Sequence, residues 1–143
     1  MTIPSGVAVH QRRLKVITFV LGGTDYSCQV NSWTMNNETV DGTKTFTYCP
    51  NSEFRTETDD NWTITLKFFS DWRAGGISDY LSANTRAVAA FQLDHHPDIV
   101  GEHVRWSGNC VLKAPTAGGD VRITEETSVT LLILGLPNYQ RIG

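Results

Sequence analysis

The densest group of ligating and acid/base side chains in the chain is Asp94-His95-His96-Pro97-Asp98, with His103 close behind. A bound metal needs three or four ligands converging on one point. Successive residues of a strand point to opposite faces, so His95 and His96 should diverge, and Pro97 turns the chain directly after them. Asp94, His96, Asp98 and His103 could still converge across that turn, but no second ligand group elsewhere joins them. The reading is a polar turn whose side chains bond the backbone, with no metal bound.

Other reactive groupings are weaker. There is no G-x-S-x-G elbow. Cys28, Cys49 and Cys110 are odd in number and widely spaced, without a C-x-x-C pair. They read as reduced, mostly buried thiols of a protein made in a reducing compartment. Gly22-Gly23 and Gly118-Gly119 lack phosphate-loop or dinucleotide spacing and read as turns. Carboxylates crowd from Glu53 to Asp60, but acid/base catalysis needs one buried carboxyl with a raised pKa, and a charge run is ordinarily a solvated face. Neither an enzyme nor a cofactor is expected.

The scaffold must be built from 143 residues, 40% hydrophobic and 19% charged. That is one domain, large enough to bury roughly 68% of its unfolded-chain surface without disulfides or metal. Trp33, Trp62, Trp72 and Trp106 supply the aromatics that disordered chains lack. With 12 Lys+Arg against 15 Asp+Glu, the formal charge is −3, and only Arg12, Arg13 and Lys15 cluster. That excludes a strongly basic nucleic-acid binder, whose affinity comes from displacing phosphate counterions. Trp62, Phe68 and Trp106 lie on apolar strand faces without a cationic row beside them, so they read as core and not as a stacking platform. The start, MTIPSGVAVHQRRL, has no secretory pattern, and no apolar run approaches the ~20 residues that span a bilayer.

Periodicity gives mostly strands. In 12–20, Leu14, Val16, Thr18 and Val20 share one face, with Lys15, Ile17 and Phe19 on the other; Gly22-Gly23 then turns the chain. Residues 24–33 alternate, with Tyr26, Cys28 and Val30 facing one way. In 62–69, Trp62, Ile64, Leu66 and Phe68 alternate with Thr63, Thr65, Lys67 and Phe69. The spacing of Ile77, Tyr80, Leu81 and Asn84 predicts one short helix over 77–84. Strands follow at 87–94 and 104–113, the latter with Val104, Trp106, Cys110 and Leu112 inward. Gly108, mid-strand, signals a bulge or a close backbone approach. In 120–134, Val121, Ile123, Val129, Leu131 and Ile133 share a face, as one long strand or two joined at Glu125-Glu126. About seven evenly spaced strands and one helix predict an all-β sandwich or barrel with a short flanking α-helix.

One stretch breaks the rhythm. Residues 34–60 are polar and acidic, with turn signals at Asp41-Gly42 and Pro50-Asn51 and a short alternating piece from Lys44 to Cys49. Excursions of this length in a compact domain are functional or disordered. Phe46, Tyr48 and Phe54, set among Glu53, Arg55 and Asp59, are aromatics of the kind that anchor interfaces, and these six are the candidate interface residues.

The strings TDYSCQVNSWTMNNET, FFSDWRAGGISDYLSAN, FQLDHHPDIVGEHVRWSGNCVLKAP and GGDVRITEETSVTL resemble the major tail (tail tube) proteins of long-tailed phages, most closely those of phages infecting actinobacteria. The resemblance covers about residues 14–136. It implies a phage tail-tube-like β-sandwich or barrel whose hexameric rings stack into a hollow, DNA-conducting tube. It further implies a single domain 1–143 with an N-terminal arm (1–13), an extended assembly loop (34–60) and a C-terminal arm (136–143). The implied partners are other copies of the chain, the tape measure, terminator and baseplate proteins at the tube ends, and passing double-stranded DNA without specific binding. The implied location is the virion tail, assembled in the host bacterial cytoplasm, with no membrane. A tube-end, terminator or injection-machine subunit of the same fold is the alternative, and a metal-binding jelly roll using the histidine group a third.

Overall fold

A computed structural model describes residue 8, residues 13–48 and 58–143, and the backbone of 53–55. Within them the chain is all-β with one short helix, as the periodicity predicts. The strands are β1 (Ile17–Leu21), β2 (Thr24–Asp25), β3 (Val30–Asn37), β4 (Lys44–Phe46), β5 (Glu53–Arg55), β6 (Trp62–Phe69), β7 (Val88–His95), β8 (Val104–Val111), β9 (Glu126–Ile133) and β10 (Asn138–Arg141), and the helix α1 (Ile77–Ala83) lies between β6 and β7. One antiparallel sheet runs in the order β2-β1-β7-β8-β9-β6-β3, and β4 and β5 form a separate pair.

The sheet changes partner at β8. Cys110 and Val111 pair with Ile133 and Leu132 of β9, whereas Val104 to Ser107 pair with β10. The inward faces of β1, β7 and β8 therefore meet those of β3, β6 and β9 in one core. Phe19, Leu21, Leu93 and Cys110 come from the first group, and Ile64, Leu66, Phe68 and Leu131 from the second, all fully buried. Two aromatic pairs tie the layers: Trp62 to Trp106 at 5.7 Å and Trp33 to His95 at 5.5 Å between ring centroids. Alternation in β6 puts Ile64, Leu66 and Phe68 inward because only that parity removes their apolar surface from water. In β1 the core face is Ile17, Phe19 and Leu21, leaving Leu14 and Val16 exposed.

Gly22 and Gly23 make the β1–β2 turn with φ of 60° and 88°, the left-handed pair a two-residue hairpin requires. The helix closes one end of the sandwich with Ile77 and Leu81 buried. Its first turn is fixed from outside: the Gln29 Oε1 accepts from the Ile77 N–H at 2.9 Å, and the Ser78 hydroxyl accepts from the Asp71 N–H at 3.2 Å. Gln29 in turn donates to Asp71, which also takes three bonds from Arg73, two from its guanidinium and one from its backbone N–H, and these hold its carboxyl down at about 2.

Several strand expectations are corrected. The 24–33 strand breaks at Tyr26, because Asp25 accepts the Ser27 N–H in an Asx turn and the Gln29 N–H returns to the Tyr26 carbonyl. Cys28 thereby lands in an exposed turn, whereas Cys110 is buried as expected and Cys49 lies outside the described residues. Val121 and Ile123 are exposed and not inward: Asp120 to Ile123 is a turn with Arg122 at φ 64°, and the last long strand starts only at Glu126. Gly108 carries no bulge, since β7 and β8 pair without a shift from Val88↔Val111 to His95↔Val104. It marks a close approach instead, with the Phe91 ring beside it. Of the two expected terminal arms, 1–13 falls almost entirely outside the described residues, and 136–143 carries β10 on the edge of β8.

Candidate functional site

The β3–β6 ladder continues past the body of the sheet into a hairpin arm. Register runs from Ser32↔Lys67 to Asn37↔Trp62, so Thr34 to Asn37 belong to the sheet. Beyond it the Glu38 N–H donates to the Asn61 carbonyl at 2.7 Å, and the Asn61 N–H donates to the Thr39 hydroxyl at 3.0 Å. A single bridge, Val40↔Asp59, and a bond from the Gly42 N–H to the Thr58 hydroxyl at 2.9 Å carry the two chains onward. They then pair as β4 and β5, with Lys44↔Arg55, Thr45↔Phe54 and Phe46↔Glu53 opposite each other.

Among the described residues, β4 and β5 pair only with one another. Val40 is 79% exposed, Phe46 70% and Tyr48 fully so. The Lys44 ammonium sits 5.3 Å from the Phe46 ring centroid, a cation–π contact at the surface. Of the six expected interface residues, Phe46, Tyr48 and Asp59 are thus solvent-facing on the arm, while Glu53, Phe54 and Arg55 form its return strand, with their side chains outside the described residues. A two-stranded ribbon alone is marginal in water. What this arm offers chemically is aromatic and carboxylate contact surface.

The histidine region is arranged differently from the expectation. Asp94 is 3% exposed and accepts from the Arg105 Nε at 2.8 Å, the Arg105 Nη2 at 3.0 Å and the His103 Nε2 at 3.0 Å. Burial works to raise its carboxyl, but the bonds from Arg105 and His103 outweigh that and hold it below the ordinary range. Asp94 and Arg105 are register partners, so this network fastens β7 to β8 where they turn.

His95 and His96 do not diverge. The strand ends at His95, and His96 takes a left-handed φ of 54°, which brings the two rings to 5.7 Å edge to face. The His95 ring also packs on Trp33; burial, then the neighbouring His96, pushes its pKa down. Asp98 is exposed and apart. Of the four, Asp94 and His103 thus belong to a structural ion network and His96 to a ring pair, with Asp98 in neither. Among the described residues no three His, Cys, Asp or Glu side chains gather around one point.

A feature the sequence reading missed lies on the outside of the sheet. Val88, Val111 and Leu132 are register neighbours across β7, β8 and β9, at outward positions. Val88 and Leu132 are more than half exposed, whereas Cys110, Leu131 and Ile133 beside them are buried. The signal was the run Leu131 to Leu134, where alternation stops and both faces turn apolar.

No known protein-family description matches the chain, and no curated protein matches it in sequence.

Proposed function

We propose that this protein is a structural subunit that polymerises through its hairpin arm into a hollow tube, the tail tube of a long-tailed phage. The observation that carries the proposal is the arm itself: a ribbon extending beyond the sandwich, paired with no other strand among the described residues, with Phe46 and Tyr48 in solvent. A polar ribbon with so little core of its own gains order from contact with another molecule. Large exposed aromatics on such an element are the residues that carry interface energy. The resemblance noted in the sequence supplies the identity of the assembly: hexameric rings, stacked, with tail proteins at both ends.

The electrostatics favour a conduit. DNA carries one negative charge per ~1.7 Å and is held by dense cationic surface through counterion release. A chain of net charge −3, in which only Arg12, Arg13 and Lys15 cluster in sequence, is poorly suited to such a grip, so duplex would slide through a ring of these subunits. Neither catalysis nor a cofactor enters this role.

Negative-stain electron microscopy of the purified full chain tests the reading. Hollow tubes of uniform diameter are the expected result. Single closed rings that never stack would assign the chain to a tube end instead. Protein that stays monomeric at every concentration would overturn the proposal.

A further inference from the structure

The outward row on β7, β8 and β9 needs an occupant. Val88↔Val111 and Val111↔Leu132 are direct register pairs, so three apolar side chains from distant parts of the sequence line up across the sheet. Val111 and Leu132, with Thr130, line a shallow groove of about 370 Å³. Arg86 and Lys113 stand at the groove, and among the described residues neither is in an ion pair. Arg86 is held there in a left-handed conformation, φ 71°, with its N–H bonded to the Leu112 carbonyl at 2.6 Å. A row of outward aliphatics, with Val88 and Leu132 more than half exposed and two cations at the adjoining groove, suits an acidic, aromatic ligand.

The arm has that chemistry. Between residues 34 and 60 the acids Glu38, Asp41, Glu53, Glu57, Asp59 and Asp60 face only Lys44 and Arg55 as bases, a net −4 in a chain whose total is −3. The remainder of the chain is therefore net positive by one. Arm and body are opposite in sign, and the arm's exposed Phe46 and Tyr48 match the aliphatic row.

We propose that the Val88–Val111–Leu132 row receives the hairpin arm of a second copy of this chain, with Phe46 and Tyr48 seated on the row and arm carboxylates facing Arg86 and Lys113. This rests on the reading of the arm as an assembly element and names the surface that it meets. Arm and row are different patches, so the contact is head to tail: each copy gives one arm and takes one. Such a contact propagates until the rotation between copies closes a ring.

Mixing two assembly-defective full-length proteins tests it by sedimentation velocity. One carries Phe46→Ala and Tyr48→Ala and keeps the groove; the other carries Leu132→Asp and keeps the arm. Each alone is expected to sediment as a monomer at concentrations where the unaltered chain assembles. Mixed, they are expected to give a 1:1 dimer that does not grow. Lys113→Glu, outside the strands, should also block assembly, so a folding defect in Leu132→Asp leaves the test intact. Circular dichroism melts report folding for every variant. If Leu132→Asp and Lys113→Glu both build normal tubes, the groove assignment falls and the tube reading stands. If the mixture holds monomers only, the groove assignment falls likewise. If the unaltered chain stops at small oligomers that both groove variants dissolve, the groove stands and the tube reading falls.

Discussion

Phe91 and Gly108 face each other across the β7–β8 ladder, and the Phe91 ring crowds the space a Gly108 side chain would take. A Cβ added at Gly108 would lie 3.3 Å from the Phe91 Cε1. Gly108 is not among the positive-φ residues, so its backbone tolerates any residue and the constraint is the ring alone.

Two opposing effects then set the outcome at this position. Gly108→Ala gains about 0.4–1 kcal/mol by narrowing the unfolded ensemble and loses a similar amount in shifting the ring, so it should be close to neutral. Gly108→Val adds bulk that the ring cannot yield to and should cost about 1–3 kcal/mol. Phe91→Leu in the Gly108→Val background should recover part of that loss. Chemical denaturation of the four proteins checks this; a Val variant as stable as the parent would remove the ring's role.

Asp94 predicts an acid-side loss of stability. Its carboxyl is held below the ordinary range in the folded state, so its contribution is fully present above the unfolded value, ~3.9. That contribution is lost as pH falls through the folded value, because the unfolded chain then binds the proton more readily. Asp94→Asn should lower stability at pH 7 by about 1–3 kcal/mol, as Arg105 and His103 lose a charged acceptor. The same variant should show a flatter stability curve below pH 4. Thermal melts from pH 3 to 7 measure both; parallel curves for parent and variant would show that Asp94 is not the group responsible.

The thiols are expected to separate by burial. Cys110 is fully buried, and burial pushes its thiol up to about 12, so at pH 8 it is neither accessible nor ionised. Cys28 is exposed in the turn before β3. In a Cys49→Ser background, the native protein should release one equivalent from a disulfide reagent within minutes and a second only on unfolding. Two fast equivalents would mean that the β8–β9 seam, where Cys110 pairs with Ile133, opens readily.

What was legible in the sequence follows from where the determining interaction is local. Trp62 to Phe69 alternates cleanly because one face meets the core along its whole length, and Ile77 to Ala83 shows its stripe for the same reason. Val121 and Ile123 carry the same alternation, yet the Asp120 turn overrides it, since two isolated apolar residues bury too little to hold a strand. β10 was invisible: Asn138 to Arg141 has no apolar period, and only pairing with β8 makes it a strand. The same non-locality hid the Val88–Val111–Leu132 row, which exists only once the register is known. The excursion at 34–60 was legible as an anomaly. Its first strand showed as the alternating piece that begins at Lys44, but the return strand Glu53–Arg55 and the pairing of the two did not, because pairing with a partner that has no apolar period leaves no trace in the sequence.

Shortening the arm separates folding from assembly, and the register says where to cut. Met35, Asn36 and Asn37 pair with Ile64, Thr63 and Trp62, and Asn36 donates to the hydroxyls of Thr63 and Thr65, so these residues must stay. Val40↔Asp59 is the last bridge before β4 and β5. Replacing residues 42–57 with Asn-Gly should let Asp41 and Thr58 close a tight hairpin on that bridge. Loop closure becomes slightly easier, by ~0.6 kcal/mol per halving of length, and no residue of the buried core is removed. The melting temperature should therefore stay within a few degrees of the parent's. Because Phe46 and Tyr48 go with the ribbon while Glu38, Asp41, Asp59 and Asp60 stay, the shortened chain should remain monomeric at concentrations where the tube reading expects the parent to assemble. Circular dichroism and sedimentation read the two properties independently. A shortened chain that still builds tubes would show that assembly does not run through the arm, and one that fails to fold would show that the ribbon stabilises the sandwich itself.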